Sequence, residues 1–449
     1  MGRTYRARKN KALYRSSDPP SSIHHDLLKF LSLRGWHNES QLTVSDFPFT
    51  GRGLNAKRNL SEHDLIIELP HRCLVSYLTL ENDDRFVEMF NIDELEASKS
   101  VVTFQSLLSL YLHHQILLKD DSEWAPYIRT LPEAFSTPYF LKKSELYFVP
   151  ENLLEKIVEQ NGVVKSNFME LLKLLKPEAR EIFDLETFKM CYFVCNSRSV
   201  FINGSSLEPL VDRVKFKEIL KDSPNMALAP FLDLLNHSDK AVTKCQLTYS
   251  EGSIAKNVEK IKSGDMKLAY QLHTLKPVKK FNQIFINYGS YNNTKLLLEY
   301  GFVLPCNEMD FLEFTLEDIQ NYLKAHNELR TLLIPKHKYK FIRDHDLSQQ
   351  MFIDVTDGLN HNFQAVLAIL LVPQNVYNLT QVAFGDELDF SEIKIHSIDI
   401  VKRKKFDFEN LSAGLSQQKD LSRSGTACLE YFQESIRLID KVLAFVESL

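Results

Sequence analysis

The run Ala229-Pro-Phe-Leu-Asp233-Leu-Leu-Asn236-His237-Ser238 is apolar at first and then delivers Asp233, Asn236 and His237 to the end of a segment that otherwise reads as buried. Buried polar groups need partners. Asp233 and Asn236 could satisfy local backbone groups in a turn. Equally, Asn236 and His237 could hold a heteroaromatic ring such as adenine, which presents a donor beside acceptors. One His with one Asp supplies too few neighbouring ligands for a metal site.

Downstream, residues 246–249, 270–274 and 284–288 read as short strands separated by charged or Asn/Gly-containing turns. The last ends in Tyr288-Gly289, and after an apolar stripe at 296–298 the pair recurs as Tyr300-Gly301-Phe302. Both tyrosines arrive at loop mouths. A phenol there can exchange a hydrogen bond and offer its π-face to a cation, or it can pack with its hydroxyl in water. Upstream, residues 42–75 read as a β-hairpin region, with Gly51-Arg52-Gly53 between two strand-like runs. Two glycines let the backbone turn tightly and approach a ligand, although a hairpin turn calls for glycine in any case.

Between these β-rich blocks the pattern is helical. Phe104, Leu107, Leu108, Tyr111 and Leu112 mark a buried helix over 101–118, and further stripes lie at 153–157, 168–175 and 183–195. The insertion spans about 81–215. Ahead of the first β block, Leu27, Leu28, Phe30 and Leu31 predict a helix that starts near Ile23 and ends near Gly35. After Cys306 helical stripes at 315–333, 361–372 and 425–449 predict a separate all-α C-terminal domain, 307–449. Lys402-Arg-Lys-Lys405 reads as a solvated charge run, and His113 and His114 fall on opposite sides of their helix.

Residues 1–22 read as a basic, disordered arm: Arg3, Arg6, Arg8, Lys9, Lys11 and Arg15 precede Asp18-Pro-Pro-Ser-Ser22. It suits a targeting or nucleic-acid patch, or a solvated tail. Over the whole chain 54 Lys and Arg face 59 Asp and Glu among 449 residues, a net charge of −5, so no chain-wide basic field exists to hold nucleic acid. Of the six cysteines only Cys191 and Cys195 are near neighbours, at helical spacing, which supports neither a disulfide framework nor a zinc site. The longest apolar run, 365–372, is far short of the roughly 20 residues that a membrane span needs. With no apolar leader at the N-terminus, the expected location is cytosol or nucleus. Phosphate-loop, dinucleotide, nucleophile-elbow and His-Glu-x-x-His motifs are all missing.

In chain order, Gly51-Arg-Gly53-Leu54, Asn196-Ser-Arg198-Ser-Val-Phe201, Asp233-Leu-Leu-Asn-His-Ser238, Ile286-Asn-Tyr288-Gly and Tyr300-Gly-Phe302 resemble the SET-domain protein lysine methyltransferases. The likeness is to the branch typified by the Rubisco large-subunit methyltransferase. It covers about residues 40–305, and more weakly the C-terminal helices. The resemblance implies an α+β fold: a β-rich SET core with a helical insertion, within 23–306, followed by a helical substrate-binding-like domain. It also implies methyl transfer from S-adenosyl-L-methionine to the side-chain amine of lysine in a protein substrate, histone or non-histone. The backbone of Arg52, Gly53 and Leu54 would line the methionine end, with Arg198 near its carboxylate and Asp233 orienting. Asn236 and His237 would hold the adenine. Tyr288 and Tyr300 would be the catalytic pair flanking the methyl, Tyr288 also touching the cofactor. No metal is implied. Two features depart from the pattern: Lys280-Phe-Asn-Gln283 lacks the usual Gly-Glu, and no cysteine-rich cluster follows Cys306. The competing reading is a non-catalytic SET-like protein that binds partners through its C-terminal helices, which the presence of Asn236, His237 and Tyr288 opposes.

Overall fold

The computed structural model describes residues 22–211, 214–249, 254–325, 335–385 and 390–449. The basic arm through residue 21 and the 326–333 part of one expected helix lie outside the described residues. The chain divides into two compact units, Met1–Glu133 with Asn161–Ser290, and Ala134–Gln160 with Tyr291–Leu449.

In the first unit the amphipathic helix Ser22–Leu33 buries Leu27, Phe30 and Leu31. Among the described residues nine strands follow: β1 Leu42–Phe47, β2 Gly51–Ala56, β3 Leu65–Pro70, β4 Ser199–Phe201, β5 Met226–Leu228, β6 Asn236–His237, β7 Thr243–Tyr249, β8 Leu268–Thr274 and β9 Gln283–Ile286. They form three small sheets with strand orders β1-β2-β9-β6, β3-β8-β7 and β4-β5. All pairings are antiparallel except β6 with β9. The β1–β2 hairpin has Phe47 opposite Gly51, where glycine supplies the positive φ of 64° that the tight connection demands.

The helical insertion supplies the buried helix Phe104–Leu117, N-capped by Thr103, and the helix Leu185–Arg198, N-capped by Asp184. Each cap's side-chain oxygen satisfies an otherwise orphaned first-turn amide. The second of these helices ends at Arg198, and β4 begins at the next residue. This junction fixes where the guanidinium starts. The stripes expected at 153–157 and 168–175 belong to one continuous helix, Glu151–Leu174.

The second unit is mostly helical, as expected of the chain after Cys306, but it also carries a three-stranded antiparallel sheet. Its strands are β10 Leu312–Phe314, β11 Met351–Asp354 and β12 Gly358–Leu359. They are three, four and two residues long, too short to print an alternating pattern. Two long helices, Phe390–Ser416 and Arg423–Ser448, close the chain. The charge run 402–405 sits in the first of them and is not uniformly solvated. Lys404 is 8% exposed, lies 2.8 Å from Asp318 and 5.0 Å from the Phe314 ring centroid. Lys405 reaches Asp440 at 2.7 Å.

Candidate active site

The four-stranded sheet opens where the glycine-containing strand leaves its partner. Strand β2 pairs with β9 only through Leu54↔Ile284 and Asn55↔Gln283, while β6 lies along β9 through Asn236↔Phe285 and His237↔Ile286. Asn236 spans the opening: its Nδ2 donates to the carbonyls of Arg52 at 2.9 Å and Thr50 at 3.3 Å. Gly53 sits beneath it. A Cβ there would stand 2.5 Å from Gln283 Nε2, 2.8 Å from Asn236 Nδ2 and 3.2 Å from Phe47 Cδ2, so only glycine fits without displacing both amides. Thr50 donates its hydroxyl to Gln283 Oε1 at 2.9 Å, leaving Gln283 Nε2 buried without a partner. Leu54 is buried, and its backbone pairs with Val44 on one side and Ile284 on the other.

A charged cluster stands behind this strand. Asp233 belongs to the helical turn Leu232–Leu234, entered through Phe231 with φ 72° and ψ −43°. A buried aromatic in that region is strained, and such strain gathers at sites the surrounding packing over-determines. Here the Phe231 ring is held 5.1 Å from Trp36. Arg198 Nη1 donates to the Asp233 carbonyl at 3.0 Å and pairs with Oδ2 at 3.4 Å. Tyr127 donates its hydroxyl to the same Oδ2 at 2.9 Å. The Asp233 side chain is 1% exposed, and burial pushes its carboxyl up from the ordinary range, against the pull of Arg198, Tyr127 and Arg52. Arg52 donates to the Thr130 carbonyl at 2.9 Å, and its pKa is lowered first by burial and then by Arg198. Arg198 therefore pairs with the buried carboxylate, and Arg52 adds the field of a second guanidinium. Arg198 Nε and Asp233 Oδ1 are both buried without partners.

Tyr288 lies two residues past the end of β9 and is tied back to β6 and the residue before it. Its amide donates to His237 Nδ1 at 3.1 Å, and its hydroxyl donates to the Leu235 carbonyl at 2.6 Å. An Nδ1 that accepts carries no proton, so the His237 ring is neutral with its hydrogen on Nε2. Burial lowers the His237 pKa in the same direction. The two rings lie 5.1 Å apart. Burial pushes the Tyr288 phenol up to about 12, so it stays protonated at neutral pH.

Arg52, Gly53, Arg198, Asp233, Asn236, His237 and Tyr288 thus belong to one unit and to one linked set of strands and turns. Tyr300 belongs to the second unit. It ends the helix Asn293–Tyr300, capped by Gly301 at φ 77°, and its ring lies 6.3 Å from Tyr291 and 6.1 Å from Phe302. His113 and His114 are both buried and face different neighbours, Phe183 and Phe86. Sequence reasoning missed Tyr127, Thr130 and Gln283. Only Gln283 left a trace, as the polar residue closing the turn that departs from the family pattern. In that turn Phe281 takes φ 64°, which explains why glycine is usual there. Among the described residues no group of His, Cys, Asp or Glu is placed to hold a metal ion.

The SET domain family model matches residues 51–289. The chain is 24% identical over 422 residues to SET domain-containing protein 4 of Artemia parthenogenetica, covering 92% of this chain and 95% of that one. It is 26% identical over 416 residues to the protein of the same name from Homo sapiens, covering 90% and 86%. A crystal structure of the SET domain of LSMT bound to lysine and AdoHcy shares the fold, with a TM-score of 0.61 and 17% identity, covering 96% of this chain and 92% of that one.

Proposed function

From the premise that this chain belongs to the SET-domain family, we propose that it is a protein-lysine N-methyltransferase using S-adenosyl-L-methionine. That cofactor supplies an electrophilic methyl group on a sulfonium. The observation that carries the assignment is the pair of buried, unpartnered atoms Arg198 Nε and Asp233 Oδ1 in one ion-paired cluster. A guanidinium N–H and a carboxylate oxygen complement the carboxylate and ammonium of an amino acid. They stand behind a strand whose residue 53 admits no side chain. Arg198, with Arg52 beside it, holds the carboxylate end, and the backbone at Arg52, Gly53 and Leu54 lines it. Asn236 and His237 frame the adenine, Asn236 by fixing the β2 backbone and His237 as a neutral ring.

Tyr288 has its own hydrogen committed to Leu235, so its oxygen offers lone pairs to the polarised methyl hydrogens. The attacking lysine must be neutral, against an ordinary pKa of about 10.4, and a desolvated channel favours the uncharged amine. The substrate is a protein, histone or non-histone, met in cytoplasm or nucleus. No helix among the described residues is long and apolar enough to cross a membrane. The SET core occupies 23–306, and 307–449 serves the substrate.

Incubation with radiolabelled S-adenosylmethionine and cell extract, followed by hydrolysis of labelled bands, tests the reading. Label recovered as methyllysine is the expected result. Cofactor binding without any transfer would instead favour the non-catalytic interaction protein, and label in another amino acid would overturn lysine as the acceptor.

A further inference from the structure

We infer that Tyr127 is a positioning residue that fixes Arg198 through Asp233, on a buried turn that also anchors Arg52, so that this turn governs recognition of the amino-acid end of the cofactor. The inference rests on the methyltransferase reading above. Tyr127 lies in the short turn Ala125–Ile128, is fully buried, and spends its hydroxyl on Asp233 Oδ2 at 2.9 Å. Thr130 closes the turn by donating its hydroxyl to the Tyr127 carbonyl at 2.7 Å, and its own carbonyl accepts from Arg52 at 2.9 Å. Both guanidiniums are therefore referred to one piece of backbone, Arg52 directly and Arg198 by way of Asp233.

The turn is itself anchored. Trp124 Nε1 donates to the Tyr111 hydroxyl at 3.2 Å, and Tyr111 donates to Asp83 at 3.0 Å, which also accepts from Gln115 at 3.0 Å. Tyr111 and Gln115 lie on the helix Phe104–Leu117. A buried carboxylate keeps its charge only while donors and a counter-ion support it. Removing the Tyr127 hydroxyl leaves Oδ2 to Arg198 alone in a buried site, so the carboxylate gives up either its charge or its fixed position. In both cases Arg198 keeps the Asp233 carbonyl at 3.0 Å but loses the fixed charged partner at 3.4 Å that completes its aim. A merely structural tyrosine would weaken every ligand alike; a positioning one discriminates.

The test compares S-adenosylhomocysteine with 5′-methylthioadenosine, which keeps the nucleoside and the thioether but lacks the amino-acid end. Calorimetric titration of the full chain carrying Tyr127→Phe should show S-adenosylhomocysteine weakened about tenfold or more, with methylthioadenosine within about twofold of the unsubstituted protein. Thr130→Val, which removes only the hydroxyl tying the turn, should give the same split in smaller measure. Equal losses for both ligands, or no loss for either, would overturn the inference, as would failure of both variants to give a cooperative melt. If the unsubstituted protein binds neither ligand, the methyltransferase reading itself fails.

Discussion

Tyr288 donates its hydrogen to Leu235 at 2.6 Å, and that bond shapes what its substitution should do. Tyr288→Phe keeps the ring against His237 but removes an oxygen that ties the strand end and, in the proposed function, faces the methyl group. The expected stability loss is about 0.5–1.5 kcal/mol, the net worth of one hydrogen bond. Turnover should fall on the order of 10²-fold, as for one preorganised polar contact. Single-turnover methylation at saturating cofactor reads this, and equal rates would show that the residue only packs. Gly53→Ala drives a Cβ into the Gln283 and Asn236 amides. It should weaken S-adenosylhomocysteine about tenfold or more by freeing the Arg52 carbonyl from Asn236. Unchanged affinity in a folded variant would remove that strand from the site. Asn236, His237 and Tyr288 were legible in the sequence because they stand just past largely apolar stretches, 229–235 and 284–286, where polar side chains are conspicuous. Tyr127 and Gln283 were not, because their meaning lies in convergence: Tyr127 meets Asp233 from 106 residues away, and Thr50 meets Gln283 from 233.

The helix Asn293–Tyr300 shows how an element's end can carry a pH dependence. Asp310 accepts from the Asn293 amide at 2.5 Å and from its side-chain Nδ2 at 2.7 Å, holding the first turn of the helix that ends in Tyr300. Burial pushes the Asp310 carboxyl up to about 6 from 3.8. A raised pKa means that the folded state binds the proton more tightly than the unfolded chain. The group's contribution is therefore fully present below about pH 4 and is lost as pH rises through about 6. At about 1.4 kcal/mol per unit, the rise from 3.8 to about 6 makes the loss on the order of 3 kcal/mol. Asp310→Asn should flatten that part of the profile, so that the melting-temperature difference between wild type and variant changes between pH 4 and 7. A constant difference would show that the carboxyl does not titrate there. Among elements, the helices Phe104–Leu117 and Arg423–Ser448 were legible because their apolar stripes run for three turns or more, whereas the helix Phe390–Ser416 was not, its charge run 402–405 breaking the pattern. Strands β10, β11 and β12 and the continuity of Glu151–Leu174 were not: two to four residues cannot show a period, and polar residues within a long helix mask its continuity.

Across the whole molecule, the proposed division of labour puts the cofactor in the first unit and the protein substrate in the helical region after Cys306. Truncation at that point is a poor test, because the second unit also contains Ala134–Gln160. Glu145 accepts from the Ser422 amide and hydroxyl, each at 2.7 Å, and the Phe148 ring packs so closely on Gly414 that no Cβ would fit. Deleting 307–449 would strand these groups, an arrangement the sequence hid because it joins residues about 270 positions apart. Surface substitution avoids that damage. Tyr377 is 77% exposed and stacks on His337 at 4.8 Å, and Phe384 is 50% exposed and stacks on His361 at 5.5 Å. Exposed aromatics that gather on one region are the usual anchors of a protein contact. Replacing both by Ala should leave the melting temperature nearly unchanged, because neither ring fills the core. If this region receives the substrate, KM for an identified protein substrate should rise about tenfold, the effect of losing roughly 1.4 kcal/mol of contact. S-adenosylhomocysteine affinity should stay constant. A loss of cofactor affinity with KM unchanged would reverse the division, and no change in either would take these rings out of substrate recognition.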